Sequence, residues 1–176
     1  MKTYGLVHLY CGDGKGKTTA AVGLALRCLG QGGTVVMTQF LKDGCSGECR
    51  ILTEQPGVIF HAVNPSGKFS FQMTPEEKEQ TAREVEQVFA QTVALVRQTR
   101  PALLVLDEVC AAVKAGFLSE QVLLDFLDHR PEHVEVVLTG REPGDALRER
   151  ADYISEIRCV RHPYQKGIAA RRGVEF

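Results

Sequence analysis

Seven residues near the start of the chain, Gly12-Asp13-Gly14-Lys15-Gly16-Lys17-Thr18, constrain its fold more than any other feature. They separate an apolar run at residues 6–10 from a helical pattern over residues 16–29, in which Ala21, Leu24, Ala25 and Leu29 share one face. A strand that runs through a glycine-rich turn straight into a helix arranges successive backbone N–H groups in a concave arc. The helix N-terminus adds its positive dipole end. Such a turn is an anion cradle. Glycine is needed there because side chains would block the anion and because the turn uses unusual dihedrals. Lys17 can reach phosphate oxygens as a point charge, and the Thr18 hydroxyl can ligate Mg²⁺. The spacing departs from the usual G-x4-G-K-[ST], because counting back from Gly16 puts Cys11 in the first position. Gly12, Gly14 and an additional Lys15 are offered instead. The plain alternative is a strand–helix turn that binds no ligand.

The rest of the chain alternates short apolar runs with helical periods, as a parallel sheet flanked by helices does. Strands are expected at residues 34–40, 58–63, 102–106, 134–138 and near 154–160. The 102–106 run is uniformly apolar, which suits a strand buried on both faces. Thr74-Pro75-Glu76-Glu77 reads as a capping box that opens a helix with Val85, Val88, Phe89, Thr92 and Val96 turned inward. Further helices are expected at 119–128 and 145–150, with a polar loop at 42–50. A second loop, at 64–73, carries Phe69, Phe71 and Met73 as apolar anchors. The expected fold is α/β, a three-layer open and mostly parallel sheet with helices on both faces, P-loop NTPase-like (RecA-like). Residues 1–176 form a single domain in this reading.

Asp107 and Glu108 close the 102–106 run. In phosphate-loop proteins an Asp at that place holds Mg²⁺ directly or through water, and Glu108 can orient a nucleophile or join the metal shell. The alternative is an acid pair serving a helix dipole. Composition narrows the partners. The formal net charge of −1 argues against broad phosphate-backbone binding, so no nucleic acid partner is expected. No apolar run approaches the roughly 20 residues that cross a bilayer, and residues 1–5 lack a signal-peptide core. The expectation is therefore no membrane partner and a cytoplasmic location with reduced thiols. Of six cysteines, Cys45 and Cys49 are the one close pair, with no second pair or nearby His to complete a zinc site. Most of the six read as small buried hydrophobes.

An ordered set of motifs then carries a resemblance: residues 12–21 (GDGKGKTTAA), Gln39-Phe40-Leu41-Lys42, Leu106-Asp107-Glu108, Leu138-Thr139-Gly140-Arg141, and the ending from His162-Pro163-Tyr164 through Gly173-Val174-Glu175-Phe176. Together they resemble the phosphate-loop type of ATP:corrinoid adenosyltransferase over nearly the whole chain. The resemblance implies transfer of the 5′-deoxyadenosyl group of ATP to the cobalt of a reduced corrinoid, releasing triphosphate, in adenosylcobalamin synthesis or salvage. It also implies ATP bound in the reverse direction to ordinary phosphate-loop enzymes, which suits the shifted glycines. Because cob(I) is itself a strong nucleophile, the protein's tasks are alignment and stabilisation of the departing charge.

By position, the resemblance assigns Gly12, Asp13, Gly14, Lys15, Gly16, Lys17, Thr18, Thr19, Arg27 and Arg141 to the nucleotide. Thr18, Asp107 and Glu108 go to Mg²⁺, with Lys17 and Glu108 as the catalytic pair. Arg27 is otherwise a solvated helix charge. Phe69 and Phe71 fall where family members have Phe-x-Trp, aromatics that crowd the lower face of the corrinoid and displace its axial base. Phe71 in place of Trp keeps an apolar face but loses area and an indole donor. Only about four residues precede the first strand, so a lid made by an N-terminal helix is not expected. His162 could contact ligand or simply cap the backbone. A homodimer and a flavoprotein reductase are further implications. A phosphate-loop kinase or ATPase, or a non-catalytic carrier of adenosylcobalamin, are the competing functions.

Overall fold

Alternation within the buried strands decides the layers. In β4 (Leu103–Asp107), every residue is buried. Leu104 and Leu106 pack into one core with Val7, Leu9, Val136 and Leu138, while Leu103 and Val105 pack into a second with Val35, Met37 and Val137. A strand with two apolar faces needs a cover on each side. The computed structural model, which describes residues 4–63, 68 and 70–175, shows both covers. Ala21 and Ala25 of α1 (Lys17–Gly30) and Leu52 of α2 (Gly47–Glu54) lie on one face. The other face meets α3 (Pro75–Thr99), α4 (Val109–Lys114), α5 (Glu120–His129) and α6 (Asp145–Arg150), through residues such as Val85, Ala112, Leu123 and Leu147.

The sheet has six strands, adding β1 (Val7–Cys11), β2 (Val35–Phe40), β3 (Val58–Val63), β5 (Glu135–Thr139) and β6 (Tyr153–Glu156) to β4. Their order is β3-β2-β4-β5-β1-β6, and every pairing is parallel. This is the expected three-layer RecA-like α/β arrangement, parallel throughout. Parallel pairing puts all strand carboxyl ends on one edge, where ligands of open α/β sheets collect. Register then fixes who meets there: Gln39 lies opposite Asp107, Leu106 opposite Leu138, and Tyr10 opposite Thr139.

The Thr74 capping box forms as expected, with the Glu77 N–H donating to Thr74 Oγ1 at 3.2 Å and the Thr74 N–H donating to Glu77 Oε2 at 2.9 Å. Replacing Thr74 by alanine should cost about 1 kcal/mol, a drop of roughly 2–4 °C in thermal unfolding.

Several local expectations are corrected. The polar loop of 42–50 gives way to α2 from Gly47, whose buried face is only Cys49 and Leu52, too little apolar signal to show as a helical period. A further short helix that the sequence reading did not assign, α4, follows β4 after a single residue. The last strand stops at Glu156, well short of 160. Beyond it the chain turns under the glycine-rich loop: the Ile157 N–H donates to the Cys11 carbonyl, and the Gly14 N–H to the Ile157 carbonyl, both at 2.8 Å. Of the three anchors assigned to 64–73, Met73 is buried, whereas Phe71 is 79% exposed, in a short 3-10 turn. Phe69 lies outside the described residues. Cys11, Cys49 and Cys110 are buried small hydrophobes, whereas Cys45 is exposed and Cys28 and Cys159 are half-buried. Among the described residues no helix is long and apolar enough to cross a membrane.

Candidate active site

The glycine-rich loop owes its shape to what presses on it. A Cβ at Gly12 would stand 2.4 Å from the Ile157 carbonyl oxygen, and the residue has φ +100°, so only glycine fits there. Gly16, with φ +121°, faces open space, which is where a ligand can approach the backbone. Cys11, in the place of the usual first glycine, is the fully buried last residue of β1. That explains the shifted spacing: the loop begins one residue later because the strand runs one residue longer. The carboxylate of Asp13 accepts the Cys159 N–H at 2.9 Å, which tethers the loop to the segment after β6 and holds this carboxyl below its ordinary range.

Helix α1 starts at this loop with Lys17, Thr18 and Thr19 and has no acidic residue in its first turn. The helix thus brings no negative charge of its own to its positive dipole end, which suits an anion site. The Lys17 side chain is folded into the loop, its ammonium donating to the carbonyls of Gly12 at 2.7 Å and Gly14 at 2.8 Å. Burial lowers its pKa, opposed chiefly by the nearby Glu108 charge.

Opposite stands Asp107, the fully buried last residue of β4, around which five hydrogen bonds converge. Thr139 Oγ1 donates to Oδ1 at 2.7 Å, and Thr18 Oγ1 straddles the two oxygens at 3.0 and 3.2 Å. Gln39 Nε2 donates to Oδ2 at 3.1 Å and Lys42 Nζ at 2.7 Å. Lys42 Nζ also donates to Thr18 Oγ1 at 2.8 Å. The Thr139 hydroxyl in turn accepts the Glu108 N–H at 2.8 Å. Glu108 occupies the left-handed region, with φ 58° and ψ 18°, where it caps α4 without a side-chain capping bond. A non-glycine residue kept in that region is strained, and the surrounding structure must enforce it. Burial raises the Glu108 carboxyl above its ordinary range, with the Lys42, Lys17 and Arg141 charges pulling the other way.

The structure thus gathers Gly12–Thr19, Asp107, Glu108 and Arg141 at the carboxyl edge of β1, β4 and β5. The Arg141 carbonyl accepts the Gly12 N–H at 3.1 Å, and its guanidinium acts electrostatically on Lys17 and Glu108. Lys15 and Thr19 are exposed at the loop. Arg27 is not brought there: it is exposed in the last turn of α1, about 15 Å of helix rise from Lys17. His162 adopts the capping role, its Nδ1 accepting the Tyr164 N–H at 3.2 Å. Three site residues were missed as chemistry: Gln39, Lys42 and Thr139. All three lie inside the motifs quoted above. For Gln39 and Thr139 the missed signal was a polar residue at the carboxyl end of an otherwise apolar strand, as with Thr139 after Val136-Val137-Leu138.

A parallel sheet whose first strand feeds a lysine-bearing glycine loop, with a threonine bonded to the acid ending a second strand, defines a phosphate-loop nucleotide-binding protein. The particular family follows from comparison. The model of the family "ATP:corrinoid adenosyltransferase BtuR/CobO/CobP" matches residues 3–176, and the chain belongs to that family. A corrinoid adenosyltransferase of Pseudomonas aeruginosa is 32% identical over 173 residues, 98% of this chain and 84% of the relative. The corrinoid adenosyltransferase of Escherichia coli strain K12 is 30% identical over 172 residues, 98% of this chain and 86% of the relative. The corrinoid adenosyltransferase CobA of Salmonella typhimurium gives the same identity and coverage. The chain is accordingly an enzyme of ATP:corrinoid adenosyl transfer.

Proposed function

We propose that the cluster of Lys17, Thr18, Asp107 and Glu108 holds Mg²⁺ and the triphosphate of ATP so that C5′, and not the terminal phosphorus, meets the nucleophile. The bond that breaks is C5′–O, whose electron pair leaves with the triphosphate. The bond that forms is cobalt–carbon, with both electrons supplied by the reduced corrinoid. No residue has to attack, and the binding groups have two tasks: alignment, and stabilising charge as it develops on the leaving oxygen. Lys17 serves the second by exchanging the carbonyls of Gly12 and Gly14 for phosphate oxygens. Lys15 and Arg141 add charge from the rim, and the loop N–H groups of residues 12–19 supply neutral donors.

The observation that carries this reading is the bond between Thr18 Oγ1 and the Asp107 carboxylate, with Glu108 next in sequence. These are hard oxygen donors, the type Mg²⁺ takes. Among the described residues no group of three or more His, Cys, Asp or Glu could hold a metal by itself. Such a site fits a cation that completes its shell with substrate phosphates and water, as Mg²⁺ does in nucleotide enzymes. Bound there, Mg²⁺ would supply charge neutralisation to the triphosphate. A homodimer, a cytoplasmic location and a flavoprotein that delivers the electron are parts of the same proposal, supported by family membership.

Anaerobic mixing of the protein with MgATP and chemically reduced cobalamin tests it. A light-sensitive cobalt–carbon product and intact triphosphate are expected in equal amounts. Production of ADP and phosphate would assign the loop to a kinase or ATPase reaction.

The exposed Phe71 suits an aromatic face that waits for a macrocycle, since a ring 79% open to water gains by covering. With Phe69 it is proposed to press on the lower corrinoid face and ease reduction to cob(I). The Phe71→Ala variant should therefore slow adenosylation from cob(II)alamin with a weak reductant at least about tenfold, and change transfer to prereduced cob(I)alamin by less than about threefold. Equal slowing of both would remove Phe71 from the reductive step.

A further inference from the structure

We propose that the Lys42 ammonium is a built-in cation that fills the divalent-metal position of the phosphate loop and must leave when the metal enters. The inference rests on the Mg²⁺ reading above and adds a residue to it. Lys42 Nζ lies 2.8 Å from Thr18 Oγ1 and 2.7 Å from Asp107 Oδ2. Those are two of the three groups assigned to the metal, contacted at once by one positive centre. A divalent ion on the same two oxygens would stand within a few ångströms of the ammonium, and two cations at such a distance repel strongly even when partly screened.

The two partners differ in freedom. Asp107 is fully buried and pinned by Thr139 and Gln39 from the neighbouring strands, so it cannot turn away. The Lys42 side chain is 30% exposed, on a flexible stem that can reach solvent. The backbone also aims it. Leu41, directly after β2, holds φ 57°, a left-handed conformation that is costly for a branched side chain, and it turns the chain so that Lys42 comes back over the sheet edge. With the ammonium in place, the buried carboxylate keeps a counter-charge before any ligand arrives. Its departure delivers a positive charge beside the incoming triphosphate.

Metal-free protein titrated with Mn²⁺ alone, with free Mn²⁺ followed by paramagnetic resonance, tests this directly. Lys42→Met should bind Mn²⁺ at least about tenfold more tightly than the natural protein, because the competing charge is gone. Lys15→Met removes the same charge from the loop without touching Thr18 or Asp107, and should tighten binding by less than about threefold, since exposed charges are screened. Unchanged or weaker binding by Lys42→Met, or an equal gain from Lys15→Met, overturns the inference and leaves the metal site standing. No Mn²⁺ binding by any of the three proteins also overturns the inference, while the metal–triphosphate reading stands or falls on the adenosylation assay above. A second readout needs no variant: reductive methylation of the natural protein, read by mass spectrometry, should label Lys42 several-fold faster when Mn²⁺ is present. Equal labelling with and without the metal defeats the displacement.

Discussion

Replacement of Lys17 by alanine lowers adenosyl transfer at saturating MgATP by at least about 10²-fold, the usual cost of deleting one charged group aimed at a leaving oxyanion. The expectation follows from where the ammonium already is. It sits on the carbonyls of Gly12 and Gly14, beside the arc of backbone donors, and the first turn of α1 contributes no acidic residue of its own. No other described lysine side chain is bonded inside that arc, since Lys15 is exposed and Lys42 is bonded to Asp107. The fold should tolerate the change. The lysine is 7% exposed, and its loss leaves the carbonyls of Gly12 and Gly14 without that donor, so about 1–2 kcal/mol of stability is at stake. Turnover and thermal unfolding measured on the same preparation separate the two effects. Activity within about tenfold of the natural enzyme, worth 1.4 kcal/mol of barrier, would take Lys17 out of the transition state.

How far the sequence discloses this site depends on how local each part is. The loop is legible because its function is written in consecutive residues: three glycines, Lys17 and Thr18 on a strand-to-helix turn. Asp107 is legible because one charge ends a run of apolar residues. The strand order is not written in either place. It places β5 between β1 and β4, which is why Thr139, from the strand that intervenes, meets Asp107 from one side and Gln39 from the other. No local rule predicts that Lys42 reaches across to Thr18, 24 positions away in sequence, because that contact depends on the left-handed turn at Leu41. The short helices α2 and α4 escape notice for a related reason: each packs through very few residues, and tertiary burial, not periodicity, makes them helical. The shifted first glycine also becomes intelligible only in three dimensions, since Cys11 is still strand.

Asp107 is where stability and function are hardest to separate, and its replacement by alanine should produce the largest loss of stability at this site. The carboxylate is fully buried and receives donors from β2, β5, α1 and the turn after β2. Removing one member of such a buried, charged network costs about 3–5 kcal/mol, roughly 10 °C of thermal stability for a chain of this size. The cost is unequal among its partners. Thr18 and Lys42 lie toward the mouth of the site and can turn to water. Gln39 and Thr139 are fully buried and cannot. Asp107→Ala therefore strands the amide of Gln39 in a dry core, and the penalty for an unmade buried bond exceeds the value of the bond when made. It follows that adding Gln39→Leu to Asp107→Ala, which removes the stranded donor at nearly constant volume, should raise the melting temperature above that of Asp107→Ala by roughly 2–4 °C. In the natural background the same Gln39→Leu change should lower it. A double variant that melts at or below the single one, or an Asp107→Ala protein within about 2 °C of the natural chain, would show that the network contributes little to the fold and that Asp107 is kept for the ligand alone.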